Sequence, residues 1–450
     1  MRLTCVVLGI AVGLAAALGL LAALEMGAAE SVSAAPSADI RYVYREGGVD
    51  AGDCSDAQNP CRTVQYAVSQ AASGSVIQVA DGDVSPAVYT GPFAITRSLT
   101  LQGGWHVDES FGFLRWCRIS PCEAERVVLT VRGTDRVISI TGAISPVIDC
   151  FTILGGDAAG LGGDPGGTVE NDAGGGIYSR DAAPIIIHNV ITANYGCDTC
   201  PTAYGRGGGI YLLDAPASAV ISGNLIARNV ADNSTWGRGG GLMLRDSDAQ
   251  VLSNTFDSNR AGLGAGEGGG IVVVGGHPTI AGNTFTQNQG ASSGVRGLGG
   301  GLYVESSGVV TIERNTFNNN RAINGETDAS MSSLGGGLAV NGQPTIIALI
   351  RDNRFFTNVA ALLGGGRGRG GGMYLSDLVS PSLVAGNELD GNIGGHNGSG
   401  DGGGMFVLSS TVVISDNVLS DNTATWSGED GYGGGMYARE SSVLVAHNVI

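Results

Sequence analysis

A triplet of glycines followed by an apolar strand occurs nine times in this 450-residue chain, and it constrains the fold more than any other feature. The last glycines of the triplets are Gly176, Gly209, Gly241, Gly270, Gly301, Gly337, Gly372, Gly404 and Gly435. Successive triplets are 29 to 36 residues apart, and a period of about 20 to 50 residues indicates a solenoid, a propeller or an array. The chain is therefore expected to fold as stacked copies of one unit.

Two asparagines mark fixed points in every complete repeat. The first follows the triplet by 13 to 16 residues, and the second comes five residues later. The first set is Asn189, Asn224, Asn254, Asn283, Asn315, Asn353, Asn387, Asn417 and Asn448, and the second is Asn194, Asn229, Asn259, Asn288, Asn320, Asn358, Asn392 and Asn422. Asparagine tolerates the left-handed backbone of tight corners, and its amide can bond to copies above and below. The pattern predicts three short strands and two sharp turns per rung.

The predicted fold is all-β, a single right-handed parallel β-helix with three strands per rung and a short N-terminal capping helix. Thr63 is a suitable N-cap for that helix, and Val64, Ala67 and Val68 follow at helical spacing. A polar cap of this kind closes the end of a solenoid. The predicted organisation is a signal peptide over residues 1–38, a cap with the helix and the first strand over 39–92, irregular entry rungs over 93–173, and nine repeats, the last incomplete, over 174–450.

The N-terminal segment and the composition indicate export. An apolar run from Cys5 to Leu24 follows Arg2, as in a signal peptide, with an uncleaved membrane anchor as the alternative. The expected location is secreted or at the cell surface, and the β-helix is expected to be a monomer that does not itself contact the membrane. A net charge of −17 disfavours nucleic acid as a partner.

The cysteines fit an oxidising compartment. Three close pairs are expected to form disulfides, which leaves Cys150 unassigned. The pairs are Cys54 with Cys61, Cys117 with Cys122, and Cys197 with Cys200. For Cys197 and Cys200, whose spacing is C-x-x-C, the alternative is half of a zinc site, but the sequence offers no matching second half.

The repeat resembles that of a known family. A glycine triplet followed by Ile, Leu or Met, together with Phe256-Asp257-Ser258-Asn259 and Phe317-Asn318-Asn319-Asn320, is similar to the GGA(I/L/V) and FxxN repeats of polymorphic outer-membrane proteins. More broadly, the chain resembles bacterial right-handed β-helix proteins of the pectin-lyase-like superfamily. The resemblance implies this fold and an adhesive role. The third glycine replaces the alanine of the family's repeat.

An aromatic ladder is the leading candidate for a ligand-binding surface. The second residue after each triplet is expected to point outward, and it is often aromatic: Tyr178, Tyr211, Tyr303, Tyr374, Phe406 and Tyr437. Exposed aromatic rings can stack against sugars. The alternative is that these residues simply suit strands and are covered by neighbouring loops. The variable loops between the second asparagine and the next triplet are expected to form the most irregular surface.

Three aspartates suggest a different chemistry. Asp181, Asp214 and Asp246 occupy the fifth position after three consecutive triplets, and Arg180 and Arg245 precede two of them. Such carboxylates could share a Ca²⁺, and an arginine could abstract a proton from a uronate, as in pectate-lyase-like enzymes. The alternative is that these aspartates end strands by bonding to turn amides.

Three functional hypotheses follow. The first is an exported, non-catalytic β-helix that presents an elongated face for adhesion or glycan binding, requires no cofactor, and has a polysaccharide or a neighbouring cell surface as its partner. The second is a Ca²⁺-dependent polysaccharide lyase, although the Trp-Ile-Asp-His and Arg-x-Pro-x-x-Arg signatures of pectate-lyase-like enzymes are missing. The third is a structural spacer within a larger surface protein.

Overall fold

The repeats stack as parallel strands into a solenoid, and each rung adds one strand to each of several sheets. The computed structural model describes residues 3–5, 39–109, 112–165, 170–200, 204–294, 296–305, 308–327, 332–364, 366–427 and 430–450. Most of the predicted signal peptide, residues 6–38, lies outside the described residues. Among the described residues, no helix is both long and apolar enough to cross a membrane.

Three sheets enclose the core. The first sheet begins with Phe93–Ile95 and Ile138–Thr141, and each of its later strands follows a glycine triplet: Ile177–Arg180, Ile210–Leu213, Leu242–Arg245, Ile271–Val274, Leu302–Glu305, the start of Leu338–Arg351, Met373–Leu378, Met405–Leu408 and Met436–Arg439. The second sheet comprises Ile40–Tyr44, Val76–Asp81, Thr100–Asp108, Val147–Asp149, Ile185–Ile187, Val220–Ser222, Gln250–Leu252, Thr279–Ala281, Val309–Glu313, the end of Leu338–Arg351, Ser382–Ala385, Thr411–Ser415 and Ser442–Ala446. The third sheet comprises Ala87–Thr90, Val127–Thr130, Thr152–Leu154, Val190–Thr192, Leu225–Ala227, Thr255–Asp257, Thr284–Thr286, Thr316–Asn318, Arg354–Phe356, Glu388–Asp390 and Val418–Ser420.

Two further sheets lie outside this core. The fourth sheet follows the second asparagines: Tyr195–Cys197, Val230–Asp232, Arg260–Gly262, Gln289–Ala291, Arg321–Thr327, Val359–Gly364, Ile393–Gly395 and Thr423–Thr425. The fifth sheet precedes the triplets: Gly163–Asp164, Asn171–Ala173, Gly205–Arg206, Trp236–Arg238, Ala265–Glu267, Arg296–Leu298, Ser332–Leu334, Arg367–Arg369, Gly400–Asp401 and Gly431–Tyr432.

The remaining elements lie near the N-terminal end. The capping helix is Val64–Gln70, and the Thr63 hydroxyl accepts a hydrogen bond from the Tyr66 backbone N–H at 3.3 Å. A 3-10 turn covers Ala124–Arg126. The strand Arg115–Ile119 pairs antiparallel with Thr100–Asp108 and with Leu3–Cys5.

The core confirms the predicted β-helix. Alternate residues of the first, second and third sheets point inward, as Ile210, Ile221 and Ile226 do in one rung, each with no exposed surface. At the two corners, the side chains of the first asparagines form one continuous ladder along the solenoid, and those of the second asparagines form another. In each ladder the Nδ2 of one asparagine donates to the Oδ1 of the next, as Asn259 does to Asn288 at 3.0 Å. The buried polar groups of both corners are thereby satisfied.

The segments between the second asparagine and the next triplet differ from the prediction. They were expected to be irregular loops, but each contains a strand of the fourth sheet and a strand of the fifth. Variable lengths are accommodated where the chain passes between the two strands, so a shared register persists despite the varying sequence. A rung therefore has the three predicted core strands and two outer ones.

The disulfides are partly as predicted. Cys54 bonds to Cys61 and Cys197 to Cys200, but Cys122 bonds to Cys150 rather than to Cys117. Cys117 is also disulfide-bonded. The predicted pairing of Cys117 with Cys122 is wrong because the strand that contains Cys117 pairs with Thr100–Asp108 of the second sheet, and Arg118 reaches Asp149 at 2.9 Å. Cys122, in the segment after this strand, therefore lies beside Cys150, although the two cysteines are 28 residues apart in the chain.

Candidate functional site

The aromatic ladder is buried, so the expectation that position two faces solvent is wrong. Tyr178, Tyr211, Tyr303, Tyr374 and Phe406 are all buried, and Tyr437, in the last rung, is half-buried. The fifth sheet covers these rings and packs Ala173 and Leu298 against them. The buried rings of neighbouring rungs still stack parallel to each other, as those of Tyr178 and Tyr211 do with centroids 5.7 Å apart. A sugar ring has no access to the five buried rings, and the predicted alternative, that neighbouring segments cover them, describes their environment.

A buried ionic network also lies between the first and fifth sheets. Asp164 accepts hydrogen bonds from the Tyr211 hydroxyl and from Nη1 of Arg245, both at 2.6 Å. Burial lowers the pKa of Arg206, which lies 3.5 Å from the same carboxylate, to about 10. Burial also acts to lower the pKa of Arg245, but Asp164 outweighs it and the pKa is raised. Because Arg245 stays protonated, it is poorly suited to the proton abstraction that a lyase would require.

The three predicted metal ligands lie on neighbouring rungs at the ends of first-sheet strands. Asp181, Asp214 and Asp246 are exposed and occupy left-handed turns with φ of 55°, 55° and 49°. The three aspartates do not form a close group of potential metal ligands. In the described part of the chain, the three residues with potential ligand atoms within 4.8 Å of one another are Asp172, Cys197 and Cys200. The aspartate column does show mutual repulsion, since partial burial, followed by the charges of Asp181 and Asp246, raises the pKa of Asp214.

Asp214→Asn should therefore stabilise the protein at neutral pH. The raised pKa in the folded state means that ionisation of Asp214 opposes folding, so its cost is present above this pKa and disappears at low pH, where the carboxyl is protonated in both states. Asparagine also tolerates the left-handed turn. We expect a higher denaturation midpoint for the variant at pH 7 and no difference at about pH 3. A pH-independent difference would contradict the electrostatic explanation.

A groove follows the corner at the second asparagines. At this corner the chain passes from a third-sheet strand to a fourth-sheet strand, which lies outside the core, as from Leu225–Ala227 to Val230–Asp232. The groove encloses about 500 Å³ and is lined by the residues immediately before and after four consecutive second asparagines: Arg228, Val230, Ser258, Arg260, Gln287, Gln289, Asn319 and Arg321. Four rungs at a spacing of about 4.8 Å make this lined section about 14 Å long.

Among the described residues, the three arginines of the groove form no ion pair with a carboxylate, unlike most arginines of the repeat region. Arg260 donates to the side-chain oxygens of Asn233 and Ser292, and Arg321 donates to those of Asn319 and Asn324. No ion pair in the described part of the chain involves either residue or Arg228. None of the three charges is therefore neutralised by an ion pair.

Asn233 fixes one of these charges in place. It accepts from Arg260 through Oδ1 and donates from Nδ2 to Asp198 at 2.9 Å. Partial burial lowers the pKa of Arg260, and the nearby Tyr195 and Asp232 oppose this shift. The guanidinium is thus partly desolvated and held by a neutral amide, an arrangement that strengthens its interaction with an incoming anion.

The sequence contained a signal for this groove. The residue before each second asparagine has a left-handed backbone, as Arg228 and Gln287 do with φ of 55° in each case, and its side chain points away from the core. The residue after the asparagine begins the fourth strand. Reading these two columns together would have shown arginines and amides clustered on four consecutive rungs. The outward turn that makes them face each other is not visible in the sequence.

The comparisons with known proteins concern the fold. No curated protein sequence matches this chain. Among solved structures, the catalytic unit of a thermostable GH87 alpha-1,3-glucanase from Streptomyces thermodiastaticus strain HF3-3 is 14% identical with a TM-score of 0.37, and the match covers 84% of this chain and 64% of that structure. The family model of the right-handed beta helix region matches residues 166–297 and 292–450, so the chain belongs to the right-handed β-helix family.

Proposed function

We propose that this protein binds an acidic polysaccharide in the groove along the second-asparagine corner. The observation that carries the proposal is the set of three arginines without carboxylate partners, Arg228, Arg260 and Arg321, in a concave surface of about 500 Å³. Guanidinium groups bind carboxylates and sulfates through two parallel hydrogen bonds. Gln287, Gln289 and Ser258 supply neutral donors and acceptors for hydroxyl groups between the charges.

The linear arrangement favours a polymer. Equivalent positions repeat along the solenoid axis at about the strand spacing of 4.8 Å, so an extended chain can contact arginines and amides on successive rungs. The net charge of −17 opposes polyanion binding at long range. At physiological ionic strength this repulsion is screened beyond about 8 Å, whereas the arginines act at contact distance.

The proposed role is non-catalytic and extracellular. The similarity of the repeat to polymorphic outer-membrane proteins supports a protein that displays this groove on the outside of the cell and adheres to a glycan there. The alternative is a polysaccharide lyase. It is less favoured because Arg245, the arginine considered as its base, is paired with Asp164 at 2.6 Å.

Arg260→Gln combined with Arg321→Gln should weaken binding of polygalacturonate by about tenfold or more, since each charge-assisted contact contributes about 1.5 to 3 kcal/mol. Affinity would be measured by isothermal titration calorimetry at two salt concentrations, with dextran as the neutral polymer. Arg296→Gln is the matched control, because Arg296 is an exposed arginine of the fifth sheet that does not line the groove. The control should keep the affinity of the wild type.

Three results would contradict the proposal. The first is full affinity in the double variant, and the second is binding of dextran as tight as that of polygalacturonate. The third is equally tight binding of double-stranded DNA, which would indicate non-specific charge attraction. Release of unsaturated uronate products, followed by absorbance with and without Ca²⁺, tests the lyase directly. Turnover in that assay would overturn the non-catalytic role.

A further inference from the structure

The charges of the groove follow a regular order along the fourth sheet. Strand pairing in register places five residues of this sheet in one column, in the order Val230, Arg260, Gln289, Arg321 and Val359. Arg260 and Arg321 therefore lie two rungs apart, about 9.6 Å at the usual strand spacing, with the neutral Gln289 between them. A valine lies on each side of this trio, so the column contains two positive charges separated by one amide.

Hydrogen bonds to neutral side chains hold the two guanidinium groups in place. Arg260 donates to Asn233 of the preceding rung and to Ser292 of the following rung. Arg321 donates to Asn324 of its own rung at 3.0 Å. A guanidinium group has five N–H donors, and these contacts occupy only some of them. Because the acceptors are uncharged, the two charges are fixed at a two-rung spacing without being neutralised.

The other side of the corner is neutral over the same three rungs. The residues before the second asparagines line the groove together with the column, and on these rungs they are Ser258, Gln287 and Asn319. Arg228, the third arginine of the groove, lies one rung before Arg260. The rung between the two arginines of the column therefore presents the amides of Gln287 and Gln289 and no positive charge among the residues that line the groove.

An extended polysaccharide fits this order of charges in one particular way. One sugar of an extended pyranose chain is about as long as the rung spacing, so carboxylates at Arg260 and Arg321 belong to sugars separated by one residue. The side chains of Gln287 and Gln289 can donate to and accept from the hydroxyl or acetamido groups of the sugar between them. A carboxylate on that sugar would meet no cation, and a carboxylate that leaves water without one costs free energy.

We propose that the groove selects a polysaccharide in which an acidic sugar alternates with a neutral one; this inference rests on the binding of acidic polysaccharides proposed above. Arg260 and Arg321 each bind a carboxylate through two parallel hydrogen bonds, and Gln287 and Gln289 bind the neutral sugar between them. A polymer of uronate alone makes the same two contacts but places a third carboxylate beside the two amides. The preference thus comes from the unpaired carboxylate rather than from the number of arginines.

Exchanging two residues of the column changes the charge spacing but not the net charge. Gln289→Arg combined with Arg321→Gln brings the two arginines onto adjacent rungs, and so does Gln289→Arg combined with Arg260→Gln. In either variant an alternating polymer loses one carboxylate contact and gains none, whereas a uronate homopolymer gains one on the intervening sugar. Isothermal titration calorimetry would use fragments of equal length of hyaluronan, in which glucuronate alternates with N-acetylglucosamine, and of polygalacturonate.

The wild type should bind hyaluronan about tenfold more tightly than polygalacturonate, and this preference should fall by about tenfold in both exchange variants, the effect expected for one charge-assisted contact. Arg296→Gln, outside the groove, should keep the preference, and circular dichroism would verify the fold of each variant. A wild type that does not prefer hyaluronan, or a folded exchange variant that keeps the preference, would overturn this inference and leave the proposed function intact. Binding of neither polymer would overturn both.

Discussion

Asn288→Asp is expected to lower the free energy of unfolding by about 3 kcal/mol or more. Asn288 is fully buried, and its Nδ2 donates to the Phe256 carbonyl at 2.8 Å and to Oδ1 of Asn320 at 3.0 Å. Aspartate has the same shape but places an acceptor where both donors were. Each buried group left without a partner costs about 1 to 3 kcal/mol, and the buried charge adds to this. Guanidinium denaturation at pH 7 would measure the loss.

The pH dependence distinguishes lost donors from a general loss of packing. A buried aspartate facing two acceptors has a raised pKa, so its destabilising effect is full above that pKa and declines as pH falls through it, when the protonated carboxyl can donate again. Asn318→Asp, the same change at an exposed position of the next rung, is the control and should cost little. Equal losses for the two variants would show that the asparagine ladder does not contribute as proposed.

Phe285→Ala is expected to cost about 3 to 5 kcal/mol, the usual range for truncating a buried aromatic side chain. Its ring has no exposed surface and stacks between those of Phe256 and Phe317, with centroid distances of 5.0 and 4.6 Å. The alanine leaves a cavity that the rungs above and below cannot close, because their register is fixed by main-chain hydrogen bonds. The denaturation midpoint would measure the effect.

Phe285→Leu is the matched comparison. Leu389 and Leu419 occupy the same column two and three rungs beyond Phe317, so the fold accepts leucine at this position. We expect a loss of about 1.5 kcal/mol, since most of the volume remains. If alanine and leucine cost the same, stacking between the rings would be the dominant contribution rather than the filled volume.

The predictions that succeeded concern requirements that every rung repeats. A corner such as the one at Asn288 needs the same buried amide in each copy, so the asparagines recur at fixed spacing. The expectation that the asparagine itself is left-handed is wrong, because the left-handed residue is the one before it, Gln287, with φ of 55°. The inward positions, such as Ile210 and Ile221, need apolar side chains on alternate residues. Both requirements involve only a few neighbouring residues and are the same in every rung, so they appear as a periodic pattern in the sequence.

The aromatic ladder and the cysteines show where this reasoning ends. Alternation correctly placed Tyr211 on the outer side of the first sheet, but alternation cannot tell whether another layer covers that side. The cover is held by partners distant in the chain, such as Asp164 and Arg245, which are 81 residues apart. The pairing of Cys122 with Cys150 likewise depends on the antiparallel pairing of Arg115–Ile119 with Thr100–Asp108 at the second sheet.

The sequence by itself determined the parallel β-helix, its period, its two asparagine corners and its inward-facing residues, because these follow from local backbone geometry repeated in each rung. Only the tertiary structure decided that the variable segments form two more sheets, that the fifth sheet buries the tyrosines, and that Arg228, Arg260 and Arg321 face one groove. These features arise where the chain turns outward after the second asparagine. The strands formed there pair with those of neighbouring rungs, as Val230–Asp232 does with Arg260–Gly262, so their arrangement depends on contacts between rungs that are distant in the sequence.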